Sequence, residues 1–425
     1  MSARIDGRST VEIATKNIII VLQNIVTFRA DWKYLASHAI NSKLFLITGH
    51  TGNANLSESN KCAFSEHIVC DEFDYDNVRK ACETIFKKEN CTDFSQVRVV
   101  TNDEYFLGLA AQIRDCFGIA GIAEKDILPF INKIIMKQVV SKSGVRVPDV
   151  IEFNPGEFTN NADDYLNDIE KKLGYPVFAK QVDSAGSENV AKIFNRSQLH
   201  KWCVENKLNL NYEVDEFIKG DLYHIDILIK DGAMIERLIC KYSCPNADFL
   251  DGVALGSVQI RKSDHEFAIL SQATIDILAA FERLPDGAIH LEVFLTKDNQ
   301  VVFVEIAARA PGGWVPQMHQ LARGYNIEEQ HFLLQMNLFR ALKIDANNHS
   351  AWIWFPQKEG MKVRKVEPQV LTSKVTITWD LDDGEVQKKP TSVRDKVCGI
   401  LLENEEYIRL QTDYKKLLEE FNPYK

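Results

Sequence analysis

Two glutamates lie in neighbouring apolar segments that a short polar turn separates. Glu292 precedes the turn residues 297–300 and Glu305 follows them. This pattern predicts a hairpin in which Val293 lies near Val304 and the two glutamates become cross-strand neighbours on one face. Like charges in that arrangement repel unless a cation separates them, and oxygen ligands of this kind suit Mg²⁺. The hairpin therefore predicts a magnesium site.

An arginine and two glycines follow the hairpin. Arg309 comes four residues after Glu305, and Gly312 and Gly313 come shortly after it. A guanidinium fork suits a phosphoryl or carboxylate group, and glycine lets a ligand approach the backbone closely. This segment predicts a site for an anionic substrate beside the metal.

Two lysines earlier in the chain are candidates for binding a polyphosphate. Lys133 begins a helix predicted to stop at Gly144, and Lys180 ends an apolar strand. After Lys180 comes a turn of small residues whose backbone N–H groups can hold phosphate oxygens, namely Ser184, Ala185, Gly186 and Ser187. If either lysine is considered alone, a solvated charge at the end of a helix or strand is the preferred interpretation, because lysine is rarely a core residue.

An acidic and apolar run from Glu213 closes at Gly220. Its extended backbone can face an adenine ring while a carboxylate takes ribose hydroxyls, and the candidates are Glu216, Phe217, Ile218 and Asp221. An amphipathic edge strand explains the same run equally well.

The elements that must position these residues begin with a strand–helix alternation. We predict strands at Asn17–Leu22, Lys43–Thr48 and Val97–Thr101, with helices at Trp32–Ile40 and Tyr75–Lys88. This order indicates a small doubly wound α/β domain over residues 1–125. The polar residues after its strands, Thr101 to Glu104 among them, should lie at the ligand-facing edge.

The rest of the chain predicts α+β structure. Residues 126–345 form a core region, with a compact subdomain at about 147–218, and residues 346–425 form a C-terminal subdomain. Asp231-Gly232 is the strongest hairpin signal. We also predict helices at 131–143, 327–342 and 405–420, and strands at 351–355 and 374–379.

Composition excludes several classes of protein. The net charge of -10 argues against a nucleic-acid binder, and no apolar run reaches the length of a membrane span. The nine scattered cysteines indicate reduced thiols and a cytoplasmic protein without a signal peptide. Cys240, Cys244, His224 and His265 raise zinc as an alternative, but without a paired CxxC spacing buried or loop thiols are the preferred interpretation.

Taken in order, these groups resemble the ATP-grasp superfamily, and most of all its carboxylate–amine ligases, which include L-amino-acid, dipeptide-forming and carnosine-synthase-like enzymes. The resemblance spans about residues 120–345, and the N-terminal region fits by pattern only. It implies an ATP-grasp fold of α/β and α+β class, with a Rossmann-like N-terminal domain, a mobile lid subdomain and a C-terminal α+β region.

The resemblance implies the following for the nucleotide. Lys133 and Lys180 match lysines that contact ATP phosphates, and residues 184–187 match the phosphate loop of the lid. Residues 216–218 match the adenine-binding hinge, and Asp221 is a ribose ligand. Glu188 departs from the family pattern, because a small or basic residue is commoner there.

For the metal and the substrates, the resemblance implies that Glu292 and Glu305 hold Mg²⁺, or Mn²⁺ in its place. Arg309 steadies an acyl phosphate, and Gly312 and Gly313 receive the substrate's carboxylate. His290 and His224 are candidates for positioning the amine or accepting its proton. Ala307 replaces an asparagine that is a further metal ligand in many relatives.

The implied activity is an ADP-forming ligase that joins a small-molecule carboxylate to an amine, with amino acids as substrates and a homodimer as the assembly. Two alternatives stay open. One is an ATP-grasp carboxylase or purine-type ligase, and the other is a nucleotide-binding regulatory module without turnover.

Overall fold

A computed structural model describes residues 17–25, 29–183, 189–209, 211–344, 348–368 and 371–425. Three sheets follow one another along this part of the chain. Within it, no helix has the length and apolar character needed to cross a membrane.

The N-terminal sheet is parallel, with the strand order β3-β2-β1-β4. Its strands are β1 (Asn17–Leu22), β2 (Ser42–Gly49), β3 (Glu66–Cys70) and β4 (Val97–Val100). The flanking helices are α1 (Trp32–His38), α2 (His50–Asn55), α3 (Glu58–Lys61), α4 (Tyr75–Lys88) and α5 (Leu107–Phe117). The three predicted strands and both predicted helices are confirmed. The sequence prediction missed β3, because this edge strand is short and half exposed.

Two helices lead out of this region, α6 (Glu124–Ile127) and α7 (Lys133–Val140). Asn132 caps α7 by accepting hydrogen bonds from the backbone N–H groups of Ile134 and Ile135. A 3₁₀ turn follows α7, and Gly144 ends it with a φ of 81°. The predicted helix and its glycine stop are confirmed.

A small antiparallel sheet comes next, with the order β5-β8-β6-β7, and we call it the small sheet. Its strands are β5 (Val150–Glu152), β6 (Val177–Gln181), β7 (Ala191–Ile193) and β8 (Tyr212–Glu216). Helices α8 (Pro155–Asn160), α9 (Ala162–Leu173) and α10 (Arg196–Glu205) pack against it around a separate apolar core.

The third sheet, called the large sheet, has eight strands in the order β13-β12-β9-β10-β11-β14-β16-β15. Its strands are β9 (Asp221–Lys230), β10 (Ala233–Tyr242), β11 (Leu255–Gln259), β12 (Gly287–Leu295), β13 (Val301–Ala307), β14 (His349–Pro356), β15 (Lys374–Trp379) and β16 (Lys396–Asn404). Strand β14 pairs with β11, so the C-terminal strands continue the sheet that holds both predicted hairpins.

Both hairpins are confirmed, and one detail of register differs. Asp231 and Gly232 adopt positive φ at the first turn, as a type I′ turn requires. In the second hairpin Glu292 pairs with Glu305 as predicted, but Val293 pairs with Phe303 instead of lying opposite Val304. The reason is a β-bulge, which gives β13 one extra residue at this point.

Four helices complete the fold: α11 (His265–Ala279), α12 (Val315–Arg323), α13 (Ile327–Gln335) and α14 (Tyr407–Glu420). The predicted extension of α13 to residue 342 is wrong. Asn337 adopts a positive φ of 58°, and Leu338 donates its backbone N–H to Leu333, which caps the helix early.

Candidate active site

One cleft brings together residues of the small and large sheets. Most of the residues predicted for the site line it: Lys133, Lys180, Glu216, Phe217, Ile218, His290, Glu292, Glu305, Arg309, Gly312 and Gly313. They come from α7, the ends of β6 and β8, the β12–β13 hairpin and the segment after β13. Motifs that are far apart in the sequence therefore line the same cleft.

The two glutamates face each other across the β12–β13 pair. Tyr242 Oη and Asn246 Nδ2 each donate to Glu292 Oε1 at 3.1 Å, while Lys133 Nζ lies 3.9 Å from Glu305 Oε2. Burial raises the pKa of Glu305; the charge of Lys133 opposes this effect and the charge of Glu292 adds to it, so that the pKa stays above its usual value. A cation bound beside Glu305 would favour its ionised form.

The pKa of Glu292 shifts in the opposite direction. Burial alone would raise it, but the hydrogen bond and charge of His290 outweigh burial and lower the pKa. Glu292 is therefore held ionised, which is the form that a carboxylate needs to bind a metal.

Lys180 belongs to a buried cluster of four charged residues. Its Nζ lies 3.0 Å from Asp215 Oδ2 and 3.5 Å from Glu213 Oε1. Lys137 Nζ donates to the same two carboxylates, at 2.7 Å to Glu213 and at 2.7 and 2.9 Å to Asp215. Burial alone would lower the pKa of Lys180, but Asp215 and Glu213 outweigh it and raise the pKa. The cluster fixes α7 against strands β6 and β8.

The interpretation of the lysines as solvated charges is wrong. Lys133 is 5% exposed and Lys180 is 8% exposed. Carboxylates on neighbouring strands supply the counter-charge that makes such burial tolerable.

Asp226 accepts contacts from three histidines behind the cleft. The distances to its carboxylate are 2.9 Å from His224 Nδ1, 2.7 Å from His290 Nδ1 and 3.5 Å from His319 Nε2. These contacts hold the pKa of Asp226 well below its usual value, although burial alone would raise it.

The structure corrects the assignment of His224 to a substrate role. His224 is fully buried, is not part of the cleft lining, and bonds Ser257 Oγ at 2.7 Å through its second ring nitrogen. His290 does line the cleft, but Asp226 and Glu292 occupy its two nitrogens at 2.7 and 3.4 Å. Burial alone would lower the pKa of His290, but these two carboxylates raise it to about 9.

Arg309 connects the cleft to the N-terminal sheet. Its Nε donates to Glu104 Oε2 at 2.5 Å, and Asn102 Oδ1 accepts the backbone N–H of Ala310 at 2.8 Å. Both acceptors follow β4, at the edge where the sequence predicted ligand-facing residues. Burial opposes the charge of Arg309, but Glu104 outweighs burial and raises the pKa of the guanidinium.

Some predicted residues do not reach the cleft. Asp221 is exposed, pairs with Lys241 at 2.6 Å and is not part of the lining, and its role as a ribose ligand stays a prediction. The predicted phosphate-loop residues 184–187 lie outside the described residues. Glu216 does line the cleft, and it pairs with Arg146 at 2.5 Å.

Sequence reasoning missed several residues that complete the site. Lys137 had a readable signal, because it lies one helical turn after Lys133 and so on the same face of α7. Tyr242 and Asn246 had no such signal, because they reach the site from separate elements.

A second group of donor atoms involves a cysteine. One ligand atom from each of His224, Asp226 and Cys240 lies within 4.8 Å of the others, and all three residues are buried. His224 and Asp226 already have the hydrogen-bond partners described above. All nine cysteines are free.

Comparison with known proteins gives the class to which this fold and cleft belong. Residues 173–317 match the family model described as an ATP-grasp domain. The fold over nearly the whole chain is that of solved ATP-grasp enzymes. Residues 173–317 are therefore an ATP-grasp domain, within a chain whose overall fold is that of these solved enzymes.

Among its relatives are amino-acid ligases. The chain is 26% identical over 258 residues to the L-arginine-specific L-amino acid ligase of Bacillus subtilis, covering 59% of each protein. It is 26% identical to a D-alanine–D-alanine ligase of Bacillus velezensis, over 41% of this chain and 51% of that protein. The matches thus span between half and two thirds of the length of these curated relatives.

Among solved structures, the L-amino acid ligase of Bacillus licheniformis superimposes with a TM-score of 0.69 at 17% identity, covering 95% of this chain and 96% of that one. A carboxyaminoimidazole ribonucleotide synthase of Aspergillus clavatus, complexed with ATP, gives 0.65 at 13% identity, covering 95% and 98%. These structural likenesses establish the fold.

Proposed function

We propose that the protein is an ATP-dependent carboxylate–amine ligase that joins two amino acids through an acyl phosphate. The observation that carries this proposal is the facing pair Glu292 and Glu305, in one cleft with Lys180 and Arg309. The amino-acid ligases among its relatives support amino acids as substrates.

The residues present fit a magnesium ion. Glu292 and Glu305 offer oxygen ligands only, which is the donor set that Mg²⁺ and Mn²⁺ prefer. Burial and the charge of Glu292 raise the pKa of Glu305 despite Lys133, so a cation bound there would favour the ionised form of this carboxylate. When bound, the ion would neutralise charge on the phosphates of ATP.

The reaction has two steps. A carboxylate oxygen of the first amino acid attacks the γ-phosphorus of ATP, the bond to the β–γ bridging oxygen breaks, and ADP leaves. The amine of the second amino acid then attacks the acyl carbon, inorganic phosphate leaves, and the nitrogen releases a proton. Lys180 and Arg309 stabilise charge on the transferring group, so no nucleophilic side chain is required.

His290 acts in this scheme by holding Glu292. Both ring nitrogens face carboxylates and its pKa is about 9, so at neutral pH the ring is protonated and cannot accept a proton from the amine. Its part is to fix the orientation of the metal ligand.

The test is the stoichiometry of products with mixtures of L-amino acids, ATP and Mg²⁺. We expect ADP, phosphate and a dipeptide in equal amounts. AMP and pyrophosphate from a productive turnover would contradict an acyl phosphate. ADP formed only with bicarbonate would identify a carboxylase, and ATP binding without turnover would identify a regulatory module.

A further inference from the structure

The wall of the cleft beside Gly313 is made of tryptophan. Trp352 and Trp354 both lie on β14 and both line the cleft. A carbon added at the Cα of Gly313 would lie 3.5 Å from the ring of Trp354 and 3.7 Å from the ring of Trp352. We call these two residues the tryptophan wall. It therefore lies next to the segment that is predicted from the sequence to receive the substrate's carboxylate.

The surroundings of the tryptophan wall are also apolar. Leu255 of β11 and Val315 at the start of α12 line the same part of the cleft. All four side chains belong to one apolar cluster. The large sheet positions this surface, because β11 and β14 are paired neighbours.

The charged residues of the lining come from other elements, and most of them have an ion-pair partner. Lys180 pairs with Asp215, Lys192 of the small sheet pairs with Asp248 at 2.5 Å, and Arg309 pairs with Glu104. The side chains that β11 and β14 contribute to the lining are Leu255, Trp352 and Trp354. A substrate carboxylate group placed against these side chains would lose water without gaining a cation from β11 or β14.

We propose that the tryptophan wall binds a large apolar side chain, aromatic or branched aliphatic, of the amino acid whose carboxylate is phosphorylated. This inference rests on the proposed function, because that function identifies the amino-acid site. It sets the chain apart from its arginine-specific relative, since Lys396 Nζ already lies 4.9 Å from the centre of the Trp354 ring and would repel a guanidinium group placed there.

Binding without turnover tests the inference by itself. Calorimetric titration with L-phenylalanine, L-leucine, L-asparagine, L-aspartate, L-lysine and L-arginine is made with a non-hydrolysable ATP analogue and Mg²⁺ present. We expect leucine to bind at least about tenfold more tightly than asparagine, which has a similar shape, and the charged amino acids more weakly still. Equal or tighter binding of a charged amino acid, or no binding of either apolar one, would overturn the inference.

Product analysis separates this inference from the proposed function. The N-terminal residue of each dipeptide identifies the activated amino acid, so leucine or phenylalanine should predominate there. Dipeptides led by charged residues would overturn the inference and leave the ligase activity standing. Tight binding of phenylalanine without any ADP would overturn the ligase activity and support the apolar site.

A pair of variants localises the effect. Trp354→Leu should raise the KM for the apolar amino acid at least about tenfold with the KM for ATP unchanged. Trp379→Leu is the matched control, because Trp379 packs against Phe421 away from the cleft. If Trp354→Leu does not fold, the calorimetric preference of the unaltered protein decides the question alone. Equal KM values in both variants would contradict the assignment to Trp354.

Discussion

Lys180 Nζ lies 3.0 Å from Asp215 Oδ2, and Lys137 Nζ contacts the same carboxylate at 2.7 Å. The lysine that we assign to the phosphates is thus already held by a buried acid, which a second lysine shares. Two positive and two negative charges balance within this cluster when Glu213 is included. Removing one of them should therefore affect the fold as well as the site.

The first prediction concerns Lys137. Lys137→Met leaves the carboxylates of Glu213 and Asp215 with a single cation, and an uncompensated buried charge costs about 3–5 kcal/mol. We expect a markedly lower midpoint of urea unfolding. Lys142→Met is the control, because Lys142 is exposed just after the same helix. Equal midpoints for the two variants would mean that the cluster does not stabilise the fold.

The second prediction concerns nucleotide binding. Lys180→Met removes a cation from the phosphate site, and hydrogen bonds to charged groups contribute about 1.5–3 kcal/mol each. We expect Mg-ATP affinity to fall roughly tenfold or more, measured by calorimetry on protein shown to be folded. Lys230→Met, beside the turn of the first hairpin, should bind Mg-ATP normally. Unchanged affinity in Lys180→Met would locate the phosphates elsewhere.

The framework of the fold was readable because its signals are local. Apolar runs, the Asp231-Gly232 turn and the stop at Gly144 each depend on a few adjacent residues, and each is confirmed. The limits of this approach appear at α13, where a left-handed Asn337 ends a helix whose apolar pattern continues. Backbone conformation at such a residue is decided by packing that the pattern does not contain.

The candidate site was predictable in part for a similar reason. Hairpin geometry brought Glu292 opposite Glu305, whereas the bulge that shifts Val293 by one residue had no signal in the turn. The contact between Arg309 and Glu104 joins residues that lie 205 positions apart, so no spacing rule could reveal it. The burial of both lysines likewise follows from tertiary pairing with acids on other strands.

The third prediction tests the support of Glu292. Asp226→Asn weakens the contact to His290, which in turn contacts Glu292. We expect weaker Mg²⁺ binding, seen as a higher Mg²⁺ requirement for thermal stabilisation by ATP, with about a 10–100-fold loss of affinity. Asp276→Asn on α11 serves as the control. Lower thermal stability of the variant with an unchanged Mg²⁺ requirement would show that Asp226 stabilises the fold and does not support metal binding.

The fourth prediction is a pH dependence of stability. His331 accepts the backbone N–H of Ala288 at 2.8 Å and contacts Thr101 O at 3.0 Å, and burial lowers its pKa from 6.5 to about 4. Between these values the unfolded chain binds a proton and the folded chain does not. Stability should therefore fall as the pH falls from 6.5 towards 4, by about 1.4 kcal/mol per pH unit from this residue.

The comparison with His331→Gln isolates that contribution. Carboxylates titrate in the same range in both proteins, so the measured quantity is the difference in their unfolding free energies at several pH values. We expect the unfolding free energy of the unaltered protein to fall relative to that of the variant as the pH falls from 6.5 towards 4. A difference that stays constant between pH 6.5 and pH 4 would exclude His331 as the source.

The central claim is that Glu292 and Glu305 hold the metal ion bound to the ATP phosphates. The variant Glu305→Gln tests this claim most directly. The amide keeps the shape of the side chain and removes one of two facing charges, so without ligand the variant should be at least as stable as the parent. Glu403→Gln on β16, which lies outside the cleft, is the control. The measurement is ADP release with amino acids and Mg-ATP, with thermal stabilisation by Mg-ATP recorded beside it. The account predicts negligible ADP and little stabilisation for Glu305→Gln. A folded Glu305→Gln protein that releases ADP at the parent's rate would contradict it.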